Sequence, residues 1–346
     1  MLKNLCCEIQ HDLEALKEYV ESDTNYYLAP AFFDIQVNGY NKVSLDDGVT
    51  TEKLEQIAES VLEDGVSVFI PTLITSEPRV LIESLRATRE FMKLYPGVVP
   101  GLHLEGPFIC EEKKGIHNGN LIRKFSSDDL KTVLEYSDTI AYMTIDPSAF
   151  DEVFLQILLN QGIKLSLGHT NASYTDARRV IDQGLNLASH LYNAMAGMKD
   201  ARQPMALEAI LDSKSVYASI ICDGLHVAYP LVNIAKKLLG EKLILTTDAL
   251  SAAGVKNASQ FISFKFAGKT IYNDLVHGCT DEHDVLAGSR ITMLDAIRNY
   301  IKNCGATPEE AVYAAAIAPR KAFNITEQRD YVVLTEDMKL VKVLDI

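Results

Sequence analysis

A parallel β/α barrel of eight units is the fold class this sequence predicts, and three observations lead there. Apolar strand-like runs alternate with amphipathic helical stretches, and the runs number eight. Each run is nearly continuous in apolar character, as expected of strands covered on both faces by helices. Four of the runs end in an ionisable residue, on the side where barrel active sites lie. In order, the strands are predicted at 32–37, 66–70, 98–104, 140–145, 163–168, 186–189, 216–221 and 243–247. Helical periodicity fills the gaps between them, for example over 51–63, 77–94 and 173–182. The barrel is expected to occupy 30–329, with 1–29 and 330–346 flanking it. Within the second flank, 331–334 and 340–344 read as a terminal hairpin. The stretch 252–287 reads as a long insertion after the eighth strand, and 261–266 alternates like a hairpin strand. A lid or wall over the site is expected from it.

Composition sets the function classes aside. The chain has 346 residues, 47% of them hydrophobic and 23% charged, as in an ordinary globular protein with a large core. A formal charge of −14 argues against nucleic acid or an anionic membrane as the main partner. The six cysteines are scattered, with Cys6 and Cys7 adjacent and no CxxC pair, so reduced thiols in the cytoplasm are expected. The N-terminus does not read as a secretory signal, and no apolar run has the length to span a bilayer.

The chemistry concentrates at the strand ends. Gly101-Leu102-His103-Leu104-Glu105-Gly106-Pro107 delivers a carboxylate at the end of an apolar run, which is costly unless a cation meets it. The later runs end in His169, His190 and Asp248. Glu105, His169 and His190 make a set suited to Zn²⁺, two imidazoles and a carboxylate with a position left for water. A single histidine at a strand end is more often structural; the four groups together favour the metal reading. Asp248 has two readings. It is either a helix cap or buried ion-pair partner, or a general base that takes a proton from activated water and returns it to the leaving group. His117 sits in a polar loop after the third strand, where a surface role is the simpler reading. His226 follows the seventh strand and faces the same mouth. Arg202 lies in a small-residue loop, where it is either solvated or a phosphate partner. His11, His277 and His283 read as surface residues. Asn118-Gly119-Asn120 reads as a turn, and Ser173 as a helix N-cap.

Nine blocks in order resemble the N-acetylglucosamine-6-phosphate deacetylase family of the amidohydrolase superfamily. They include Phe32-Phe33-Asp34-Ile35-Gln36-Val37-Asn38-Gly39, His103-Leu104-Glu105-Gly106-Pro107-Phe108, Lys114-Gly115-Ile116-His117-Asn118 and Gly168-His169-Thr170-Asn171-Ala172. His190-Leu191-Tyr192-Asn193-Ala194-Met195, Asp223-Gly224-Leu225-His226-Val227, Thr247-Asp248-Ala249 and Leu286-Ala287-Gly288-Ser289 continue the series. The resemblance implies a (β/α)8 barrel of the metal-dependent amidohydrolase type, with a reduced accessory β-domain formed by 1–29 and 330–346. It also implies a metal on Glu105, His169 and His190, Asp248 as the acid/base, and His117 polarising the acetyl carbonyl. Asn193, Ala194, Arg202, His226, Gln36, Leu286 and Gly288 are implied as substrate contacts. A homodimer is implied, with Arg202 and His226 supplied across the interface.

Superfamily members with His-x-His on the first strand gain ligands for a second metal there; this chain has Gln36 and Asn38, and neutral amides are poor Zn²⁺ ligands. One divalent ion per chain is therefore expected, zinc first, with Fe, Co or Mn also able to occupy a His₂Glu set. The expected reaction is removal of acetate from N-acetylglucosamine 6-phosphate. The alternatives are the galactosamine epimer, a dihydroorotase-like ring opening, and a non-catalytic sugar-phosphate binding protein. The missing His-x-His and the lack of a bridging lysine on strand four count against ring opening. The intact ligand set and Asp248 count against a binding protein. The Arg202 loop is longer by about one residue than the common family form and lies close to the phosphate contact.

Overall fold

The computed structural model describes residues 2–5, 16, 19, 25–257, 261–326 and 330–345. Its centre is an eight-stranded parallel sheet, β3 (Phe32–Val37), β6 (Val66–Ile74), β7 (Leu102–Glu105), β8 (Ile140–Ile145), β9 (Leu165–Leu167), β10 (Leu187–Ala188), β11 (Tyr217–Ile221) and β12 (Leu243–Thr246), hydrogen-bonded in that order. The eight predicted strands are all present. β6 runs four residues beyond its predicted end, while β9 and β10 are shorter than predicted.

The seam between β3 and β12 is bridged rather than fully laddered. Val37 and Ala249 form a parallel bridge, and Asn38 N donates to Ala249 O at 2.8 Å. Beneath it, the buried Asp34 carboxylate accepts from Thr246 Oγ1 at 2.8 Å, from Thr247 N at 3.2 Å and from Thr247 Oγ1. Burial pushes the Asp34 carboxyl above its ordinary range, and the threonine bonds only partly offset that. A side chain on the first barrel strand thus ties it to the eighth.

Helices cover the outside. α1 (Thr51–Leu62) starts at Thr50, whose hydroxyl accepts from Lys53 N, and it buries Leu54, Ile57 and Val61 at helical spacing. α2 (Pro78–Leu94) has proline in its first turn, where the lost N–H costs nothing. α3 (Ser127–Glu135) opens on a capping box of Ser126 and Asp129. α4 (Glu152–Asn160), α5 (Tyr174–Asp182), α6 (Ala206–Leu211) and α7 (Tyr229–Leu239) follow the next four strands. Ser173 caps α5 as its sequence predicts. α8 (Met293–Cys304) begins at the Thr292–Asp295 capping box and ends at Gly305 in the left-handed region. α9 (Pro308–Val312) and α10 (Ala318–Phe323) flank a wide π-type turn at Tyr313–Ile317.

The larger buried cluster lies between strands and helices. A smaller one fills the barrel with Phe33, Ile35, Val68, Ile70, Tyr142, Leu187 and Ile244, and Ala318 and Ala322 close one end. Tyr142 donates across the interior to Ile35 O at 3.0 Å. With that end plugged by apolar side chains, the polar groups gather at the other.

Three smaller sheets complete the fold. β4 (Gly39–Tyr40) and β5 (Val43–Ser44) form a short hairpin. The insertion forms the three-stranded antiparallel sheet β13 (Ser263–Phe266), β14 (Lys269–Asp274) and β15 (Gly278–Thr280), one strand more than a hairpin. The termini meet in a four-stranded sheet ordered β1 (Leu2–Asn4), β2 (Tyr26–Pro30), β16 (Asp330–Thr335) and β17 (Leu340–Asp345). The expected terminal hairpin is its β16–β17 half.

Candidate metal centre and active-site cleft

Glu105 is the last residue of β7, while His169, His190 and Asp248 each lie two residues past the ends of β9, β10 and β12. All four are buried. His169, His190 and Asp248 leave their strands with φ of 47°, 30° and 50°, a left-handed backbone that non-glycine residues seldom adopt. Such strain costs of order 1–3 kcal/mol per residue and gathers where geometry serves chemistry. Here it turns each side chain from the strand direction toward Glu105. Gly168 lets β9 make that turn, because a Cβ there would lie 2.6 Å from Thr144 Cγ2.

The ligand atoms of Glu105, His169 and His190 all lie within 4.8 Å of one another. His190 Nε2 is 2.8 Å from Glu105 Oε1, and His169 Nε2 is 3.3 Å from the same oxygen. His169 Nδ1 lies 2.8 Å from the Lys113 carbonyl, which only accepts, so Nδ1 carries the proton and the Nε2 lone pair faces the cluster. Two imidazole nitrogens and a carboxylate converging in a buried space fit a divalent cation.

The electrostatics agree with that fit. Burial alone would push the Glu105 carboxyl up, but His117, His169 and His190 hold it well below the ordinary range. Burial would lower His190, yet its bond to Glu105 raises it to about 8. His169 is pushed down to about 4, chiefly by burial. Asp248 is pushed up to about 7 by burial and by the nearby Glu105 charge, with His190, His226 and Asn38 offsetting part of that. A cation in the cluster would oppose both the Glu105–Asp248 repulsion and the protonation of His190.

Around the cluster lies a cleft with an empty volume of about 810 Å³, open to solvent. His117, Asn193, Ala194, His226, Leu286 and Gly288 line it together with Glu105, His169, His190 and Asp248. Leu286 lies at the end of the insertion and Gly288 just after it, which makes that part a wall. His117 is not a surface residue: it is buried, with Nε2 3.7 Å from Glu105 Oε2. His226 Nδ1 sits 2.6 Å from Asp223 Oδ2, which anchors the ring.

Three of the expected contacts are placed as follows. Gln36 does not line the cleft: it is fully buried, and its Nε2 donates to Glu105 Oε1 at 3.0 Å and to Asp248 Oδ1 at 2.9 Å. Its position on β3, below the strand ends, puts it under the site rather than against a ligand. His226 lines the cleft of its own chain, so no partner is needed to bring it there. Arg202 is absent from that lining, with its side chain 88% exposed and ion-paired to Asp200 at 3.1 Å. Within one chain the loop carries it away from the cleft.

Other groups were not singled out in the sequence. Glu112, Lys113 and Ile116 line the cleft. His103 stacks on Tyr142 at 3.8 Å between Thr72 and Thr144, and burial holds it down at about 3. The His103 position in the His-x-Glu run gave the only sequence signal. His277 and His283 are exposed, whereas His11, Cys6 and Cys7 lie outside the described residues. Cys110, Cys222, Cys279 and Cys304 are free thiols. No helix among the described residues is long and apolar enough to cross a membrane.

The amidohydrolase family model matches residues 27–329, which spans the whole barrel. The chain belongs to the amidohydrolase family. Within this family, the amidohydrolase is 35% identical to the N-acetylglucosamine-6-phosphate deacetylase of Haemophilus influenzae over 302 residues, covering 87% of this chain and 78% of that one. It is 27% identical to an N-acetylgalactosamine-6-phosphate deacetylase of Escherichia coli O157:H7, over 86% of this chain and 78% of that one. Among solved structures, the N-acetylglucosamine-6-phosphate deacetylase of Pasteurella multocida superposes with a TM-score of 0.88 at 31% identity, covering 92% of this amidohydrolase and 85% of that chain.

Proposed function

We propose that this amidohydrolase is an N-acetylglucosamine-6-phosphate deacetylase, hydrolysing the acetamide to glucosamine 6-phosphate and acetate. The observation that carries the reading is the placement of Asp248 beside the Glu105–His169–His190 cluster in one cleft. The similarity to relatives named for that reaction supports the substrate.

In this reading Glu105, His169 Nε2 and His190 Nε2 hold one divalent ion, zinc being our first choice. When bound, the ion acidifies water and polarises the acetyl carbonyl. Asp248 accepts the water proton. Gln36 and Asn38 both donate to its Oδ1, at 2.9 and 2.6 Å, which leaves Oδ2 for that proton. As the C–O bond forms and the C–N bond breaks, Asp248 passes the proton to nitrogen, so the amine leaves neutral. His117 donates to the carbonyl oxygen as negative charge develops there. His226, held by Asp223, and the Asn193–Ala194 loop take the sugar phosphate. Leu286 and Gly288 pack against the sugar. Arg202 completes the phosphate site from a second copy in a homodimer. The described residues of the terminal segments 1–29 and 330–346 form a reduced accessory unit beside the barrel, and the enzyme works in the cytoplasm.

A second reading, the galactosamine epimer, is favoured by the relative named for that substrate. Free-amine release from a panel of N-acetylated sugars decides between them. N-acetylglucosamine 6-phosphate should give the highest kcat/KM. A higher value for the galactosamine epimer would favour the second reading, and no amine from any member would overturn both.

A further inference from the structure

The His117 ring is held in place by a threonine at the strand-end rim. Thr75 lies one position past the end of β6, on the same rim as the metal cluster. Its Oγ1 is 2.8 Å from His117 Nδ1, and its backbone N–H points to that same nitrogen at 3.4 Å. A backbone N–H can only donate, so Nδ1 is the lone-pair nitrogen and the hydroxyl donates to it as well. The ring proton is left on Nε2, the nitrogen facing Glu105.

The space for this contact is provided by Gly106. With φ at 82°, a Cβ on Gly106 would lie 2.2 Å from Thr75 Oγ1. Only glycine lets the hydroxyl reach the ring. Thr75 and His117 are both buried, so bulk water cannot readily replace a lost bond.

We propose that Thr75 is a positioning residue that fixes His117 in the tautomer whose Nε2–H is aimed at the substrate carbonyl oxygen. The proposal rests on the donor role of His117 given above. With the proton on Nδ1 instead, Nε2 would present a lone pair to the developing oxyanion and repel it. Gly106 then matters through Thr75, because its missing side chain makes the threonine contact possible.

The test uses the metal-loaded full chain with N-acetylglucosamine 6-phosphate as the probe, comparing Thr75→Val, Thr75→Ser and His117→Ala. Thr75→Val should lower kcat about 10- to 100-fold, with KM within about threefold and metal content unchanged. Thr75→Ser should stay within about threefold of the parent kcat. In ¹⁵N-histidine spectra of the unaltered protein, His117 should have a protonated Nε2 and a bare Nδ1; this needs no variant to fold. An Nδ1-protonated ring overturns the proposal. So does a Thr75→Val enzyme with parental kcat while His117→Ala is inactive, a result that leaves the donor role of His117 standing. A His117→Ala enzyme with parental kcat overturns the donor role and, with it, the proposal.

Discussion

Asn38 Nδ2 donates to Asp248 Oδ1 at 2.6 Å, a bond between the first barrel strand and the residue that follows the eighth. It stabilises the ionised carboxylate and so holds down a group that burial and Glu105 push up to about 7. Asn38→Ala removes that help. The Asp248 pKa should rise, and the acid limb of the kcat/KM profile should move to higher pH. A pH–rate profile checks this; an unmoved limb would mean that Asp248 does not set it.

Metal affinity should depend on pH through His190. In the metal-free protein this ring titrates at about 8, so it carries a proton near neutrality, and a cation must displace it. Affinity should therefore fall as pH drops below about 8, and binding should release protons. Calorimetry in buffers of different ionisation enthalpy measures that release. The same titration should saturate at one ion per chain; two ions would contradict the His₂Glu reading.

Asp34 should matter for stability rather than turnover. Its carboxylate accepts from Thr246 and Thr247 across the barrel seam. Asp34→Ala leaves the Thr246 and Thr247 hydroxyl protons and the Thr247 N–H without their acceptor and should cost about 1–3 kcal/mol, read as a lower denaturation midpoint. An unchanged midpoint would show that the seam closes without the Asp34 carboxylate.

Much of this was legible in the sequence because it follows from simple periodicity. The eight strands announced themselves as apolar runs, and Glu105, His169, His190 and Asp248 announced themselves by ending four of them. Two kinds of feature were not legible. The bond from the Gln36 amide to Asp248 and the tie from Asp34 to Thr246 each join residues 212 positions apart, and the pairing depends on how β3 meets β12. The third strand of the insertion, β15, is only three residues long, too short to carry an alternation signal. His117 misled because a polar loop normally means exposure, whereas here Thr75 and the cleft bury it.

Arg202 offers a test of the subunit arrangement. In one chain it points away from the cleft and pairs with Asp200. If a second copy receives it, Arg202→Ala should raise KM about 10- to 1000-fold with little change in kcat, the loss of a charge-assisted contact to phosphate. Sedimentation should show a dimer. A fully active monomer, or an unchanged KM, would remove Arg202 from the site.

In this mechanism Asp248 carries the proton at a metal centre built from Glu105, His169 and His190. Asp248→Asn tests it most directly, because it keeps the shape and the Gln36 and Asn38 neighbours while removing the base. The decisive measurement is kcat for acetate release together with metal content on the same purified variant. The variant should keep one ion per chain and a KM close to that of the parent, with a kcat lower by about 10²–10⁴-fold. A near-parental kcat would contradict the mechanism, and loss of the ion would make Asp248 a ligand first and send the search for the proton carrier elsewhere.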